Sequence, residues 1–447
     1  MATTKKKALI DVILVLVLIS GVIFFQGKYG PVKAGAGDRD EIYRNIEIFT
    51  EVLREIEKNY VEPKDPKELI QGAIKGMVEG LDPHSAFLTK EEHQELMIET
   101  KGSFSGVGIE ISIRDNILTV VSPIEDSPAH KAGIQAGDKI IKIDDDPTTE
   151  MSLSEAVKRI RGKKGTKVRL TVIREGENQP LEFTITRDVI PLRSVRHYKL
   201  TPDIAYVRIS TFQSKTSKDL LGALGELEKG GPLKGLILDL RNNPGGLLSQ
   251  AIEVSDLFLD SGVIVSTKGR NDVQDMEVSA HRNKEPRNYP IIVLVNGGSA
   301  SASEIVAGAL QDNKKALILG TKTFGKGSVQ TILPLSDGSG LRLTTARYYT
   351  PKGRSIQLAG ITPDIELKFE PPASANKKEN RRKVLREEDL QGHILPAEND
   401  KGRETPEEKD RMEKDRRVRM LVERDNQVRY ALQLLQSWEI FSEIGRE

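Results

Sequence analysis

Residues 291–305 read Ile-Ile-Val-Leu-Val-Asn-Gly-Gly-Ser-Ala-Ser-Ala-Ser-Glu-Ile, an apolar run followed by small residues and then the start of a helical pattern. The apolar run has no polar alternation, which is typical of a strand buried on both faces. Leu236, Ile237 and Leu238 lie in a second run of this kind. Helical patterns alternate with these strands, and this order predicts a parallel α/β sheet covered by helices.

The rest of the chain divides around this core. We predict an export segment at residues 1–36, a helical region at 37–101, a compact strand-rich domain at 102–188 and the α/β core at 189–370. In the strand-rich domain, Ser152 and Glu155 predict a capped helix over residues 153–160. Residues 371–447 are predicted to be a charged linker that ends in an amphipathic helix.

The composition excludes several classes of protein. The 447 residues contain 67 Lys and Arg against 66 Asp and Glu, a net charge of +1, so nothing indicates a nucleic-acid binder. The absence of cysteine from the sequence excludes disulfides, thiolate metal sites and cysteine proteases. The six histidines share no metal-ligand spacing, so we expect no metal and no cofactor.

The N-terminus carries an export signal. Lys5, Lys6 and Lys7 precede an apolar stretch over residues 8–25. A cleaved signal peptide and an uncleaved transmembrane anchor both fit this length, and Ala34-Gly35-Ala36 fits a signal peptidase site. In either case the leading lysines predict that the body of the protein crosses the cytoplasmic membrane, to a periplasmic or other extracytoplasmic location.

The small residues after the first apolar run indicate either a nucleophile or a helix cap. Ser299, Ser301 and Ser303 lie where a helix presents free N–H groups and the positive end of its dipole. That position suits a serine nucleophile. Serine residues are also common helix caps, so this segment alone leaves both interpretations open.

A lysine loop follows the next predicted strand. Residues 320–327 nearly spell a phosphate-binding loop, but Gly327 replaces the Ser or Thr that would bind magnesium, and residues 329–335 predict a strand instead of a helix. What remains is Lys326 between two glycines, where partial burial would make the amine a base. Gln330 lies four residues further on, which along a strand is the same side, so it is predicted to orient the ammonium group. A solvated turn lysine is the alternative.

Two glycine-containing segments complete the set of candidates. Residues 239–246 form a turn after a strand, and the N–H groups of Gly245 and Gly246, with that of Ala302, would lie where an oxyanion could bind. Residues 104–111 place glycines before a strand, so backbone N–H groups there could bind a carboxylate while a peptide adds as a strand. Each segment taken alone also fits a plain turn.

With these motifs together, residues 40–369 resemble the carboxyl-terminal processing peptidases, also called tail-specific proteases. The resemblance rests on several motifs in order, at residues 80–85, 104–111, 239–246, 299–305, 323–330 and 348–357. It implies a multidomain α/β protein, a crotonase- and Clp-like serine protease core with an inserted PDZ domain and helical regions at both ends.

The resemblance also implies site residues. Ser301 matches the family's nucleophile, Lys326 its base and Gln330 its orienting residue. Gly245 or Gly246 and Ala302 match the oxyanion donors, and the PDZ contacts would come from Gly106, Val107, Gly108 and Ile109. The implied function is an exported serine endopeptidase that cleaves proteins whose apolar, free C-terminal tails bind the PDZ domain. The alternative is an inactive, membrane-tethered PDZ scaffold.

Two apolar helical stripes have no obvious partner in the sequence. One contains Ile42, Ile46, Phe49 and Leu53, and the other contains Val428, Leu432, Leu435 and Trp438. Left alone, each would expose a large apolar area. The expectation is therefore a homo-oligomer, with packing on the chain's own core as the alternative.

Overall fold

The computed structural model describes residues 36–114, 116–124, 126–270, 272–283, 285–371 and 406–444. Its two compact units are Met1–Leu81 and Asp82–Glu447. Residues 1–35 of the export segment predicted at 1–36, and residues 372–405 of the charged linker and helix predicted at 371–447, lie outside the described residues. Among the helices that are described, none is long and apolar enough to cross a membrane.

In the described part of the first unit, residues 36–81, the helices are α1 (Ala36–Asn59) and α2 (Pro66–Glu79). Asp65 caps α2, because its carboxylate accepts a hydrogen bond from the N–H of Lys67 at 2.9 Å and Pro66 fits the first helical position. Ile42, Ile46 and Phe49 on α1 are all exposed. Both helices lie where the sequence predicts a helical region, and among the described residues these side chains of α1 remain exposed.

The second unit begins with β1 (Ala86–Leu88) and α3 (Lys90–Lys101), which lead into the PDZ-like domain. The elements of this domain are β2 (Ser103–Gly106), β3 (Ile109–Arg114), β4 (Ile117–Pro123), α4 (Pro128–Ala132), β5 (Lys139–Ile143), β6 (Asp146–Pro147), α5 (Leu153–Ile160), β7 (Lys167–Ile173), β8 (Leu181–Thr186) and β9 (Asp188–Pro191). Its main sheet has the order β3-β4-β5-β7-β8, and β2 pairs with β9 where the chain enters and leaves. Ser152 accepts from the N–H of Glu155 at 3.2 Å, which confirms the predicted cap of α5.

The larger core contains a six-stranded sheet, helices and most strands of a second sheet. Its elements are β10 (Val195–Lys199), β11 (Ile204–Ile209), α6 (Thr216–Glu228), β12 (Gly235–Asp239), α7 (Leu248–Asp256), β13 (Val263–Gly269), β14 (Met276–Ser279), β15 (Ile291–Val295), α8 (Ala302–Asp312), β16 (Ala316–Gly320), β17 (Ser328–Pro334), β18 (Gly340–Tyr349) and β19 (Ile365–Glu366). The sheet order is β10-β11-β12-β15-β16-β19, and from β11 onward every pair is parallel. β12 and β15 are buried along their whole length, as the apolar runs predict.

A second, antiparallel sheet was not predicted. Its order is β1-β18-β13-β14, and β17 pairs with β18. Ala86 pairs with Arg342 and Leu88 with Gly340, so this sheet joins segments that are far apart in the chain. The pairing brings the motif at residues 82–85 beside the β17–β18 hairpin, which begins just after Lys326.

The chain ends in α9 (Pro406–Arg424) and α10 (Asn426–Ile444). Val428, Leu432 and Leu435 on α10 are buried against the face of the sheet opposite α6, α7 and α8, together with Ile237 and Leu294. Leu435 fits closely because Gly235 has no side chain, and a Cβ there would lie 3.0 Å from the leucine methyls. The expectation that this stripe lacks a partner in its own chain is therefore wrong, since the parallel sheet has a second apolar face to cover.

Candidate active site

Three loops meet at the carboxyl edge of the parallel sheet, where sites of open α/β sheets usually lie. The glycine turn (residues 241–246) follows β12, the serine loop (residues 296–301) follows β15 and the lysine loop (residues 321–327) follows β16. Since β12, β15 and β16 are neighbours in the sheet, all three predicted motifs come together.

Ser301 ends the serine loop and precedes the first residue of α8. Its backbone is in an unusual conformation, with φ 53° and ψ −112°. The loop is held on the glycine turn, because Asn243 O accepts from the N–H of Ala300 at 3.0 Å and from Ser303 Oγ at 2.9 Å. A serine on a sharp strand-to-helix turn of this kind is typical of an activated nucleophile.

The carboxylate of Glu304, on the first turn of α8, joins the serine loop to the lysine loop. Its Oε2 accepts from the N–H of Ser301 at 2.8 Å and from the N–H of Lys326 at 2.9 Å. Its Oε1 accepts from Gly325 N at 2.7 Å and from Thr323 Oγ1 at 2.5 Å. The side chain is fully buried, so one carboxylate fixes the backbones that carry both predicted catalytic side chains.

Lys326 is half-buried at the end of the lysine loop. Burial lowers the pKa of its amine, and the positive charge of Arg342 lowers it further, while Asp82 and Glu304 act in the opposite direction. The net effect is a pKa below the ordinary lysine value, which favours the neutral amine that a base requires. Within the described residues, no side-chain hydrogen bond joins Lys326 to Ser301.

Gln330 lies on β17, but Lys326 precedes that strand and the ladder is irregular between Val329 and Gln330. The sequence argument from alternating strand faces is therefore wrong in its geometry. The Gln330 Nε2 donates to Ser328 Oγ at 2.8 Å and to Thr344 Oγ1 at 3.5 Å. Its Oε1 has no partner among the described residues, so this oxygen is available to a cation.

Asp82 is connected to Gln330 through the hydroxyl group of Thr344. Its Oδ1 accepts from Thr344 Oγ1 at 3.1 Å and its Oδ2 from Ser85 Oγ at 2.7 Å. Because Asp82 also acts on the pKa of Lys326, the motif at residues 82–85 belongs to the surroundings of the lysine. The sequence contained this motif but gave it no role.

The glycine turn lies directly against Ser301. Gly245 has φ 103°, and a Cβ there would lie 2.9 Å from Ser301 Cβ and 3.0 Å from Ala302 N. The Gly245 N–H donates to Asn243 Oδ1 at 2.9 Å. Among the hydrogen bonds of the described residues, the N–H groups of Gly246 and Ala302 have no acceptor. Gly245 therefore keeps the space in front of Ala302 N open.

Tyr348 is a further neighbour of Ser301, from β18. Burial raises the pKa of Tyr348 to about 12, and the nearby Ser301 side chain acts in the opposite direction. A phenol with this pKa stays protonated at neutral pH. Tyr348 therefore lies beside the serine in its protonated form and is not its base.

Arg241 ties the glycine turn to the end of the chain. Its guanidinium donates to Asp239 Oδ1 at 2.9 Å and to Gln427 Oε1 at 2.7 Å, and it forms an ion pair with Asp425 at 2.8 Å. Burial alone would raise the pKa of Asp239, but the bonds from Arg241 hold it below the ordinary value. Asp425 and Gln427 flank the start of α10, so the C-terminal helices support this turn.

Comparison with known proteins agrees with this arrangement. The family description Peptidase family S41 matches residues 203–367, a PDZ domain matches residues 119–174, and the N-terminal domain of the activating protease CtpB matches residues 30–92. The carboxy-terminal-processing protease of Bartonella bacilliformis is 48% identical over 355 residues, 79% of this chain and 81% of its own.

The chain belongs to peptidase family S41. Within that family it is a carboxy-terminal processing protease with a PDZ domain, which confirms the resemblance and the fold class. The carboxy-terminal processing protease CtpA of Bacillus subtilis is 37% identical over 79% of this chain and 76% of its own. The solved photosystem II D1 C-terminal processing protease is 34% identical, covering 72% of this chain and 92% of that one at a TM-score of 0.42.

The PDZ domain of this S41 protease has an apolar groove between β3 and α5. Its lining includes all four predicted contacts, Gly106, Val107, Gly108 and Ile109, together with Phe104, Ile111, Leu153, Val157, Ile160 and Arg161. β3 is the last strand of its sheet, so one edge is open to an added strand. Among the described residues, the N–H groups of Val107 and Gly108 donate to no acceptor.

Of the histidines that the structure describes, His84 lies near Lys326, and burial and the charge of this lysine lower its pKa. His281 forms an exposed pair with Asp256 at 3.1 Å. Over the described residues, no group of three His, Asp or Glu side chains has the arrangement of a metal site.

Proposed function

We propose that this protease is a serine endopeptidase that uses Ser301 as nucleophile and Lys326 as base. The observation that carries the proposal is the Glu304 carboxylate, whose Oε2 binds the N–H of both residues. Two loops from neighbouring strands are thereby held at one point. The backbones that carry the serine and the lysine are therefore fixed before substrate binds, which supports a joint role for their side chains.

The proposed reaction uses these two side chains. Ser301 Oγ attacks the carbonyl carbon of the scissile peptide while its proton passes to the neutral amine of Lys326. The tetrahedral oxyanion receives hydrogen bonds from the free N–H groups of Ala302 and Gly246. When the C–N bond breaks, the Lys326 ammonium returns the proton to the leaving amine, and water then hydrolyses the acyl-enzyme by the same route. The Oε1 of Gln330 is proposed to accept from the Lys326 ammonium and orient it.

The test is degradation of unfolded casein by the full chain and by Ser301→Ala. The wild-type protein should produce fragments that accumulate with time, and the variant should produce none while its circular dichroism stays unchanged. Fragmentation by Ser301→Ala at the wild-type rate would contradict the proposal. Intact protein in both samples would instead favour the inactive scaffold.

The PDZ groove is proposed to select substrates by a free, apolar C-terminal tail. Its support is the open edge of β3 and the unused N–H groups of Val107 and Gly108, which suit strand addition and carboxylate binding. A peptide that ends in a free carboxylate after apolar residues should bind the full-length Ser301→Ala protein more tightly than the same peptide amidated. Equal binding in fluorescence polarisation would exclude carboxylate recognition.

Export and self-association are also part of the proposal. The lysines before the apolar segment at residues 8–25 support transfer of the protease across the cytoplasmic membrane, with or without retention of an anchor. The exposed apolar side chains of α1 support a homo-oligomer, because a second copy of α1 would cover them.

A further inference from the structure

Two large apolar side chains are exposed on either side of Gly325 in the active site. Phe324 is 62% exposed and Leu358 is 84% exposed, the highest value among the large apolar side chains described in the second unit. Apolar residues of this size are usually buried. Their exposure next to Lys326 indicates a functional role for these two side chains.

The backbone places both residues in the site. The N–H of Phe324 donates to Ser299 O at 3.0 Å, two residues before the nucleophile. The N–H of Leu358 donates to Gly325 O at 2.9 Å, and a Cβ on Gly325 would lie 3.2 Å from the Leu358 carbonyl carbon. Leu358 is therefore packed against the residue immediately before Lys326.

The conformation of Leu358 is unusual as well. Among the described residues, seven that are not glycine have positive φ, and four of these are Asn or Asp, which tolerate it. Leu358 has φ 62°, a strained value for a branched apolar side chain. Ser301 shares this feature, with φ 53°. Strained residues are often found at functional sites.

We propose that Phe324 and Leu358 form an apolar contact for the substrate residue that follows the scissile bond. This inference rests on the proposed function. The proton that Lys326 takes from Ser301 must be returned to the leaving amine, so that amine departs beside Lys326. Side chains that flank Lys326 then face the residue that carries this amine. An apolar side chain there would cover Phe324 and Leu358, and a small polar one would leave them in water.

The test compares two peptides after the cuts in casein have been mapped by mass spectrometry. Both carry the same apolar C-terminal tail and the same cleaved sequence, with leucine in one and serine in the other directly after the cut. The full-length protein should cleave the leucine peptide with a kcat/KM about tenfold higher. In Leu358→Gly this ratio should fall towards one, because the leucine peptide loses its advantage while cleavage of the serine peptide is retained.

Leu358→Gly suits this test because glycine adopts a positive φ without strain. Its melting temperature should therefore be equal to or above that of the wild-type protein, so a changed ratio would not reflect damage to the fold. Leu335→Gly removes another exposed leucine of the core domain and should leave the ratio unchanged. Phe324→Ala should reduce the ratio in the same direction as Leu358→Gly.

The outcomes separate the inference from the mechanism. An unchanged ratio in both Leu358→Gly and Phe324→Ala would overturn the inference and leave the serine mechanism standing. A wild-type protein that makes no Ser301-dependent cut would contradict the proposed function and the inference with it.

Discussion

Glu304→Gln removes one of the two oxygens that join the serine and lysine loops. The glutamate accepts four hydrogen bonds, two on each oxygen. In the glutamine variant an NH₂ group faces two donors, so two charge-assisted bonds are lost, each contributing about 1.5–3 kcal/mol. Relief from burying a charge offsets part of this loss. We expect the free energy of unfolding to fall by about 3 kcal/mol.

The decrease in kcat should be larger than the fraction of unfolded Glu304→Gln protein can explain. The oxygen that is replaced by the NH₂ group no longer accepts its two hydrogen bonds, so the loops of Ser301 and Lys326 can separate. A misplacement of the catalytic groups by about 1 Å lowers the rate about 100-fold. The assay is kcat for a tailed peptide, at a temperature where circular dichroism shows the variant folded, together with urea unfolding. Glu226→Gln, an exposed glutamate paired with His197, is the matched control and should change neither quantity. Wild-type kcat and stability in Glu304→Gln would refute this reasoning.

Three further predictions concern the surroundings of the site. Gly245→Ala places a Cβ 3.0 Å from Ala302 N, so kcat should fall about 100-fold or more while tail-peptide binding to the PDZ groove is unchanged; an unaffected kcat would exclude this position of the oxyanion. Asp425→Asn weakens the ion pair with Arg241, so the free energy of unfolding in urea should fall by about 1–3 kcal/mol and kcat should fall as well. A wild-type kcat would show that the C-terminal helices do not support the glycine turn. Ile46→Glu with Phe49→Glu, in a chain that lacks residues 1–36, should be monomeric by light scattering where the parent chain is oligomeric, and a monomeric parent would contradict the proposed self-association.

The sequence predicted the elements whose signals are local. β15 has the predicted bounds, and the buried strands β12 and β15 follow from apolar runs without alternation. The second sheet was missed because its pairings are distant in sequence, as in Ala86 with Arg342. The packing of α10 on the sheet was missed for a related reason. An apolar run such as Leu236-Ile237-Leu238 predicts a strand buried on both faces but does not identify the helix that covers each face.

The residues of the site also fall into those with a local sequence signal and those without one. Ser301, Lys326 and Gln330 lie in short motifs that can be read directly, although their roles stay predictions. Glu304 was visible only as a neighbour of the serines, because three of its four bonds reach residues 19 to 22 positions away. Tyr348 reaches Ser301 only through the folding of β18, and the strained φ of Leu358 has no signature in the residue itself.

The most direct test of the Ser301–Lys326 pair is the rate at which a fluorophosphonate labels the protein as pH is raised. Labelling requires the serine to be deprotonated by a neutral base, and the pKa of Lys326 is lowered by burial and by Arg342. The rate should therefore rise with pH and level off below the ordinary lysine pKa, with mass spectrometry placing the label on Ser301. The labelling rate of Lys326→Arg should be lower than that of the wild-type protein by about 100-fold or more, because a guanidinium stays charged. A label on another serine, or labelling of Lys326→Arg at the wild-type rate, would contradict the account.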